Sequence, residues 1–187
     1  AFCDELAKKI AGNPAADLEP DRVAAVAKIG ENIRLNRHLR WEVTGNGLIA
    51  AYIHTGAKVG VLVEVGAGQE ATVTNDAFKE LVRDITLQIA AGNPTAVRRE
   101  EVPAEVLDKE DEIARNSDAL KGKPAAAMAN ILKGKREKYF QTVCLVEQGF
   151  VKKNGEVTVK EHIATVGKAL GDEVTVRRFV RYQIGLA

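Results

Sequence analysis

Two side chains in the stretch Leu48–Val65 can carry a proton, His54 and Lys58. An imidazole four residues from an ammonium, at the end of an apolar run, has the make-up of an acid–base site, a ligand contact or a docking edge. No nearby carboxylate or nucleophile pattern supports the first of these, so a strand-end structural histidine and a contact residue stay open beside it. His38 falls on the polar side of a strand-like segment and His162 on a helix, where a solvated imidazole is the default. Cys3, on an apolar helix face, and Cys144, inside a strand-like run, are expected to be small buried side chains. Two cysteines are too few for a disulfide framework and are not spaced as metal ligands. Gly66, Gly68 and Ala71 after a strand resemble the opening of a dinucleotide-binding loop. Thr72, Val73 and Thr74 are not expected to open a helix, however, and phosphate binding there needs a helix N-terminus, so a surface loop is expected. No P-loop, HExxH, CxxC or nucleophile-elbow pattern occurs. No catalytic, cofactor-binding or metal-binding residue is assigned. The cationic cluster Lys133, Lys135, Arg136 and Lys138 has the two readings of a solvated helix face and an electrostatic contact.

Composition narrows the class. With 187 residues and 45% hydrophobic content the chain can build one substantial domain or two small ones sharing an interface. Its 27 basic and 26 acidic residues leave a net charge of +1, without the basic excess of a general nucleic-acid binder. No apolar run approaches the roughly 20 residues that span a bilayer, and no signal peptide is expected. A reducing compartment fits the cysteine usage. The first residue is Ala1, with Phe2, Leu6 and Ile10 already at helical spacing, which reads as a chain cut from something longer or processed.

The elements that position these residues follow from periodicity. Residues 2–11 form an amphipathic helix stopped by Gly12, Asn13 and Pro14, and residues 21–28 a second short one. Residues 33–43 carry the clearest alternation: Ile33, Leu35, Leu39, Trp41 and Val43 share one face, and Arg37 alone breaks it. Residues 48–65 read as a hairpin turning at Thr55–Lys58, where Gly56 can supply a positive φ. A glycine-containing loop over 66–75 leads into a helix over 76–91, with Phe78, Leu81, Val82, Ile85 and Ile89 at core spacing. Strands are expected over 143–151 and 173–186, and a helix over 159–170.

An internal repeat organises these elements. Ala91–Pro94 repeats Ala11–Pro14, eighty positions on. Residues 29–43 lie on 170–184 without a gap, Trp41 falling on Tyr182 and the exception Arg37 on Arg178. The fold class implied is α+β, with two similar halves, each an antiparallel sheet with packed helices. The halves are residues 1–75 and 76–187. The second carries extra material over 103–140, where Val106, Ile113 and Leu120 recur every seven residues and Met128, Ile131, Leu132, Lys135 and Tyr139 form a stripe beyond Gly122–Pro124. This predicts a projecting antiparallel helical hairpin whose first arm, 103–121, would be about 28 Å long.

The assembled motifs resemble the translation elongation factor Ts family, guanine-nucleotide exchange factors for elongation factor Tu. The matching segments are AKIGENI at 27–33, YIHTGAKVGVLVEV at 52–65, IAAGNP at 89–94, EEVP at 100–103, KGKP at 121–124 and LVEQGFV at 145–151. Ala57 stands where family members often have glycine, and Gly149 where they often have proline. The resemblance implies a two-half core with a projecting hairpin. It also implies a protein that performs no covalent chemistry and needs no cofactor or metal, acting by binding elongation factor Tu. Ile29, Gly30 and His54 match positions that contact the partner's nucleotide domain, and Val151 and Lys152 match positions that contact its third domain.

The family's small helical N-terminal domain and its Thr-Asp-Phe-Val motif, whose phenylalanine wedges into the partner, would lie upstream of Ala1. The 187 residues alone are therefore expected to bind elongation factor Tu but promote GDP release poorly. The expected location is the bacterial cytoplasm, or an organellar matrix or stroma in a eukaryote. A homodimer is a possible partner state, with no membrane and no direct nucleic-acid contact expected. Two other readings remain beside this one. A non-catalytic RNA-binding module would use Arg34, Arg40 and the hairpin lysines, against an aromatic content of only 5%. An enzyme using His54 would need a pocket joining it to a carboxylate.

Overall fold

A computed structural model describes residues 2–117 and 124–185, and the chain divides between Glu42 and Val43 into two compact units. In the first unit, helix α1 (Phe2–Gly12) buries Leu6 and Ile10 against Leu18, Phe2 and Ala16. Helix α2 (Glu19–Ile29) starts with Pro20 in its first turn, where the missing N–H costs nothing, and ends on Gly30 at φ 79°. Lys9 Nζ pairs with Asp21 at 2.5 Å, joining the two helices. Cys3 is exposed, because α1 buries only its Leu6–Ile10 side.

Residues 31–44 form neither helix nor strand, so the alternation over 33–43 does not become the expected strand. A strand exists by pairing, and alternation only prepares a segment for a partner ladder. In this segment the Ile33 carbonyl accepts from Arg22 and the Ala11 carbonyl accepts from Arg40, both side-chain contacts. Leu35 is left exposed.

The second unit holds the one sheet found among the described residues, in antiparallel order β1–β2–β3. Strands β1 (Gly47–Ile53) and β2 (Val59–Ala67) are the expected hairpin, with Tyr52 opposite Val61 and Ile53 opposite Gly60. The turn uses two left-handed residues, Gly56 at φ 86° and Ala57 at φ 55°. Only the first of them is a glycine. Strand β3 (Val174–Gln183) pairs with the far edge of β2. Val61, Val63 and Val65 of β2 and Val174 and Val176 of β3 point into one core. Against them lie Phe78, Leu81, Val82, Ile85 and Ile89 of α4 (Asp76–Gly92) and Val159 and Ile163 of α7 (Val159–Leu170). The α+β class is thus observed as helices packed on an antiparallel sheet. Helix α4 opens on an Asn75 side-chain cap and stops at Asn93, φ 45°. Helix α7 opens on a capping box made by Thr158 and Glu161.

A register shift between Glu64 and Val65 leaves Arg177 as an extra residue on β3. Because side chains alternate along a strand, one extra residue brings Arg177 and Arg178 to the same carboxylate. Arg177 Nη1 donates to Glu64 Oε1 at 3.0 Å and Arg178 Nε donates to Oε2 at 2.7 Å. Arg177 also donates to the carbonyls of Thr44 and Asn46, just ahead of β1. The break in alternation at Arg178 is this bulge; beyond it Phe179 packs on the core.

Helices α5 (Ala104–Arg115) and α6 (Ala125–Val143) form the hairpin arms. The first arm ends at Arg115, well short of the expected 121, and at 12 residues is about 18 Å long. The expected seam is packed at its start and not at its middle: Val106 joins Leu107 against the cluster of Phe140, Val143 and Cys144, while Ile113 faces solvent and Asp111 meets α6. Leu120 and the turn 121–123 lie outside the described residues. Asp111 is buried because Arg136 of α6 donates twice to it, at 3.0 and 2.9 Å. The expected strand over 143–151 is also not formed. Val143 ends α6, Leu145–Glu147 and Val151–Lys153 are 3-10 turns, and only isolated bridges occur, at Ala96–Cys144 and Gly149–Thr158.

Two substitutions test this frame. Burial raises the Glu64 carboxyl, but the two arginines and the Thr44 N–H outweigh it and hold the group below its ordinary 4.5. A lowered carboxylate stabilises the fold above its unfolded value and loses that contribution as pH falls through the folded value. Glu64→Gln should therefore cost about 2 kcal/mol at neutral pH, discounted for arginines that are partly exposed, and the difference from the parent should shrink below about pH 4 in urea titrations. Ala57→Gly should stabilise the fold by about 0.5–1 kcal/mol, read as a higher urea midpoint, because relief of the left-handed strain exceeds the added unfolded-state freedom.

Candidate functional site

At the turn between β1 and β2, His54 is fixed through its backbone, whose N–H donates to Val59 O at 2.9 Å and whose carbonyl accepts from Ala57 N at 2.9 Å. Its exposed ring shares a 2.9 Å hydrogen bond between Nδ1 and Tyr52 Oη, with ring centroids 5.9 Å apart. The partner is a phenol, so the arrangement orients the imidazole without building a carboxylate–histidine base. Ile53 beside it is 65% exposed. A small surface with one apolar and one polar donor–acceptor group suits contact better than proton transfer.

Ile29 and Gly30 lie in the first unit at the end of α2. Ile29 is 55% exposed. The left-handed Gly30 closes the helix by donating to Val26 O at 2.8 Å, with open space where a Cβ would stand. Backbone there is open to close approach by another chain.

Val151 and Lys152 are brought together in a 3-10 turn held by polar side chains of α4. Gln88 Oε1 accepts the Val151 N–H at 2.9 Å, and its amide nitrogen donates to Gln148 Oε1 at 3.0 Å. Gln148 in turn donates to the carbonyls of Gly92 and Thr142, at 2.9 and 2.7 Å. Lys152 Nζ meets the buried carboxylate of Asp84 at 2.7 Å. These side chains stand in for the missing strand ladder, and they leave Val151 54% exposed. Asp84, Gln88 and Gln148 went unassigned in the sequence. The signal for the first two was there: polar residues at i and i+4 that flank the stripe Leu81, Ile85, Ile89 and are nevertheless buried.

The competing chemistries fare worse. Thr72–Thr74 do lie in a helix, contrary to expectation, but α3 (Glu70–Thr74) spans one turn. The backbone N–H groups of Gly68 and Gln69, which would cradle a phosphate, donate to Asp172 at 3.1 and 2.9 Å. An internal carboxylate fills that place. A cavity of about 880 Å³ between α7 and the start of β3 is lined by Arg98, Lys160, Ile163 and Val174 and touches none of Ile29, Gly30, His54, Val151 and Lys152. Among the described residues no cluster of three histidine, cysteine or acidic groups could hold a metal. Cys144 is buried, and burial pushes its thiol up to about 11, away from nucleophile chemistry. No described helix is long and apolar enough to cross a membrane. Of the cationic cluster, Arg136 is committed to Asp111, while Lys133, Lys135 and Lys138 are exposed on α6. His162 is not a solvated helix residue: its ring stacks on Phe150 with centroids 4.2 Å apart.

Comparison with known proteins places these features in a family. A family model described as Elongation factor TS matches residues 3–186. A protein named Elongation factor Ts from Heliobacterium modesticaldum is 46% identical over 143 residues, which is 76% of this chain and 66% of that protein. The protein of the same name from Bdellovibrio bacteriovorus is 38% identical over 182 residues, 97% of this chain and 59% of the relative. That from Myxococcus xanthus is 46% identical over 143 residues, 76% of this chain and 65% of the relative. The chain thus spans about three-fifths to two-thirds of the length of these curated relatives.

The polar support of the Val151 turn has a measurable weight. Gln88→Ala leaves the Val151 N–H and Gln148 Oε1 without their Gln88 partner, and should cost about 1–3 kcal/mol in urea unfolding. Gln88→Leu, of similar volume, should cost as much, which separates lost hydrogen bonds from lost packing.

Proposed function

The chain belongs to the elongation factor Ts family, and from that premise we propose that it binds elongation factor Tu and supports the replacement of GDP by GTP during translation elongation. The observation that carries this reading is the family match across residues 3–186. The proposed contacts are Ile29, Gly30 and His54 toward the partner's nucleotide domain and Val151 and Lys152 toward its third domain. Exposed Ile29 and Val151, a backbone-open glycine, an oriented imidazole and an anchored ammonium supply apolar, hydrogen-bonding and charged contacts in small patches.

The work is done by differential affinity and needs no catalytic residue. A protein that binds the nucleotide-free partner more tightly than the GDP-bound partner lowers the affinity for GDP by the same factor. Rigid presentation favours such coupling, since contacts already in place cost less ordering on binding. The bacterial relatives agree with action in a bacterial-type cytoplasm. Pairing with a second copy is an additional arrangement open to this reading. The RNA-binding alternative has the exposed Lys133, Lys135 and Lys138 in its favour, against a net charge of +1.

The test is release of labelled GDP from elongation factor Tu, followed alongside direct binding to the nucleotide-free partner. The chain should bind, and His54→Ala should weaken binding about 5- to 30-fold, as expected for a contact worth 1–2 kcal/mol, while the melting temperature stays nearly unchanged. A large fall in melting temperature with unaltered affinity would return His54 to a structural role. Absence of binding by the parent chain would sink the proposal.

A further inference from the structure

We propose that His162 is a pH-sensitive latch on the Val151–Lys153 turn, its neutral ring holding the turn in docking form through Phe150 and its protonation releasing it. This rests on the reading of Val151 and Lys152 as contacts for elongation factor Tu, and adds a positioning residue to that site.

The geometry is short. His162 sits in the first turn of α7, where its N–H donates to Thr158 O at 3.0 Å. Its ring lies on that of Phe150 with an interplanar angle of 15°. Phe150 is the residue before Val151, and its carbonyl accepts the N–H groups of Lys153 and Gly155, both at 3.0 Å. Displacing the Phe150 ring therefore moves the peptide that closes the turn.

His162 Nδ1 is buried from solvent and has no hydrogen-bond partner. A neutral ring can leave that nitrogen as a bare acceptor, whereas an imidazolium must place a charged N–H there. A charged ring would gain about 0.5–1 kcal/mol over the face of Phe150, less than the penalty of an unpartnered buried charged donor, at least about 1–3 kcal/mol. Charges facing the ring come from two elements besides its own. Lys152 and Lys153 of the turn oppose its proton; Asp84 and Glu80 of α4 favour it. Asp84 is already paired with Lys152 at 2.7 Å, and Glu80 stands 3.9 Å from the same ammonium. On α7 itself, Glu161 is committed to Thr158. Burial first, then the lysines, hold the imidazole below its ordinary 6.5. A protonated His162 must either leave Phe150 for solvent or draw Asp84 from Lys152, and each route loosens the turn.

The sign follows from linkage. A folded state that refuses a proton its unlatched form accepts is fully latched above about pH 6.5, and loses the latch as pH falls from there through the lowered folded value. The experiment measures protection against hydrogen exchange at the amides of Val151, Lys153 and Asn154 in the free chain, and affinity for nucleotide-free elongation factor Tu, from about pH 7.5 to about pH 5. Parent and His162→Phe are compared, since phenylalanine keeps the stack and cannot titrate.

In the parent, protection and affinity should each fall about three- to tenfold relative to the variant. The midpoint should coincide with the titration of the His162 ring by NMR, a measurement on the parent alone that stands even if the variant fails to fold. Protection that is unchanged across the range, or that follows a midpoint other than that of His162, overturns the latch. Equal losses in parent and His162→Phe overturn it as well. Loss of protection with affinity that tracks the variant overturns the positioning role. A latch that titrates as described in a chain that binds no elongation factor Tu at any pH overturns the docking reading and leaves the latch standing.

Discussion

The pair of arginines on Glu64 is the constraint to which most of the second unit answers. A carboxylate with almost no exposed surface in the central strand is tolerable only with close counter-charges and its oxygens hydrogen-bonded. One arginine on regular β3 could reach it from the opposite position; two consecutive ones reach it only if the strand carries an extra residue. The bulge and the ion cluster therefore require each other. Arg177, freed from the alternation, spends its remaining donors on the carbonyls of Thr44 and Asn46, fixing where the chain enters β1. The strand that ends at His54 is thus anchored at its start, through Arg177, to a buried carboxylate in its partner strand β2.

How much of this could be read from the residues depended on the range of the force involved. The hairpin over 48–65 and the helix over 76–91 declare themselves because apolar spacing and turn residues act within a few positions, and both are found within one or two residues of expectation. Residues 33–43 mislead for the complementary reason: alternation marks a segment fit to pair, but pairing is a long-range event, and the matching segment 174–184 takes the available edge of β2 as β3. The irregularity at Arg178 was visible in the alignment of the two copies. Its meaning as a bulge was not, because an odd residue in a strand pattern reads equally as a surface charge.

The turn at Val151–Lys153 shows a second kind of illegibility. Residues 143–151 have the β-branched and aromatic content of a strand, and what prevents one is the replacement of ladder hydrogen bonds by side chains from another helix. Gln88 and Gln148 satisfy backbone groups that a neighbouring strand would otherwise serve, and a buried amide does so with donor and acceptor together. Propensity scales do not register such substitution, since the partner lies sixty residues away. Of the five proposed contacts, none could be distinguished by residue type alone; an exposed isoleucine, a capping glycine and a lysine are common on any surface, and the family resemblance is what singled them out.

A scaffold that works by affinity differences, as proposed for this chain, has a particular physical need. Its contact groups must be few, so that the complex can come apart, and pre-set, so that binding energy is not consumed in ordering them. The arrangement meets this at two places by opposite means. His54 is held by local geometry, a two-residue turn with left-handed residues and a neighbouring phenol, and depends little on the core. Val151 and Lys152 are held by buried polar groups reaching out of the core, so their position is tied to the pairing of Asp84 with Lys152 and to the amides of Gln88 and Gln148. Contacts of the first kind are set by their immediate neighbours along the chain. Contacts of the second kind inherit the electrostatics of the interior, through the Asp84–Lys152 pair and the stack of His162 on Phe150.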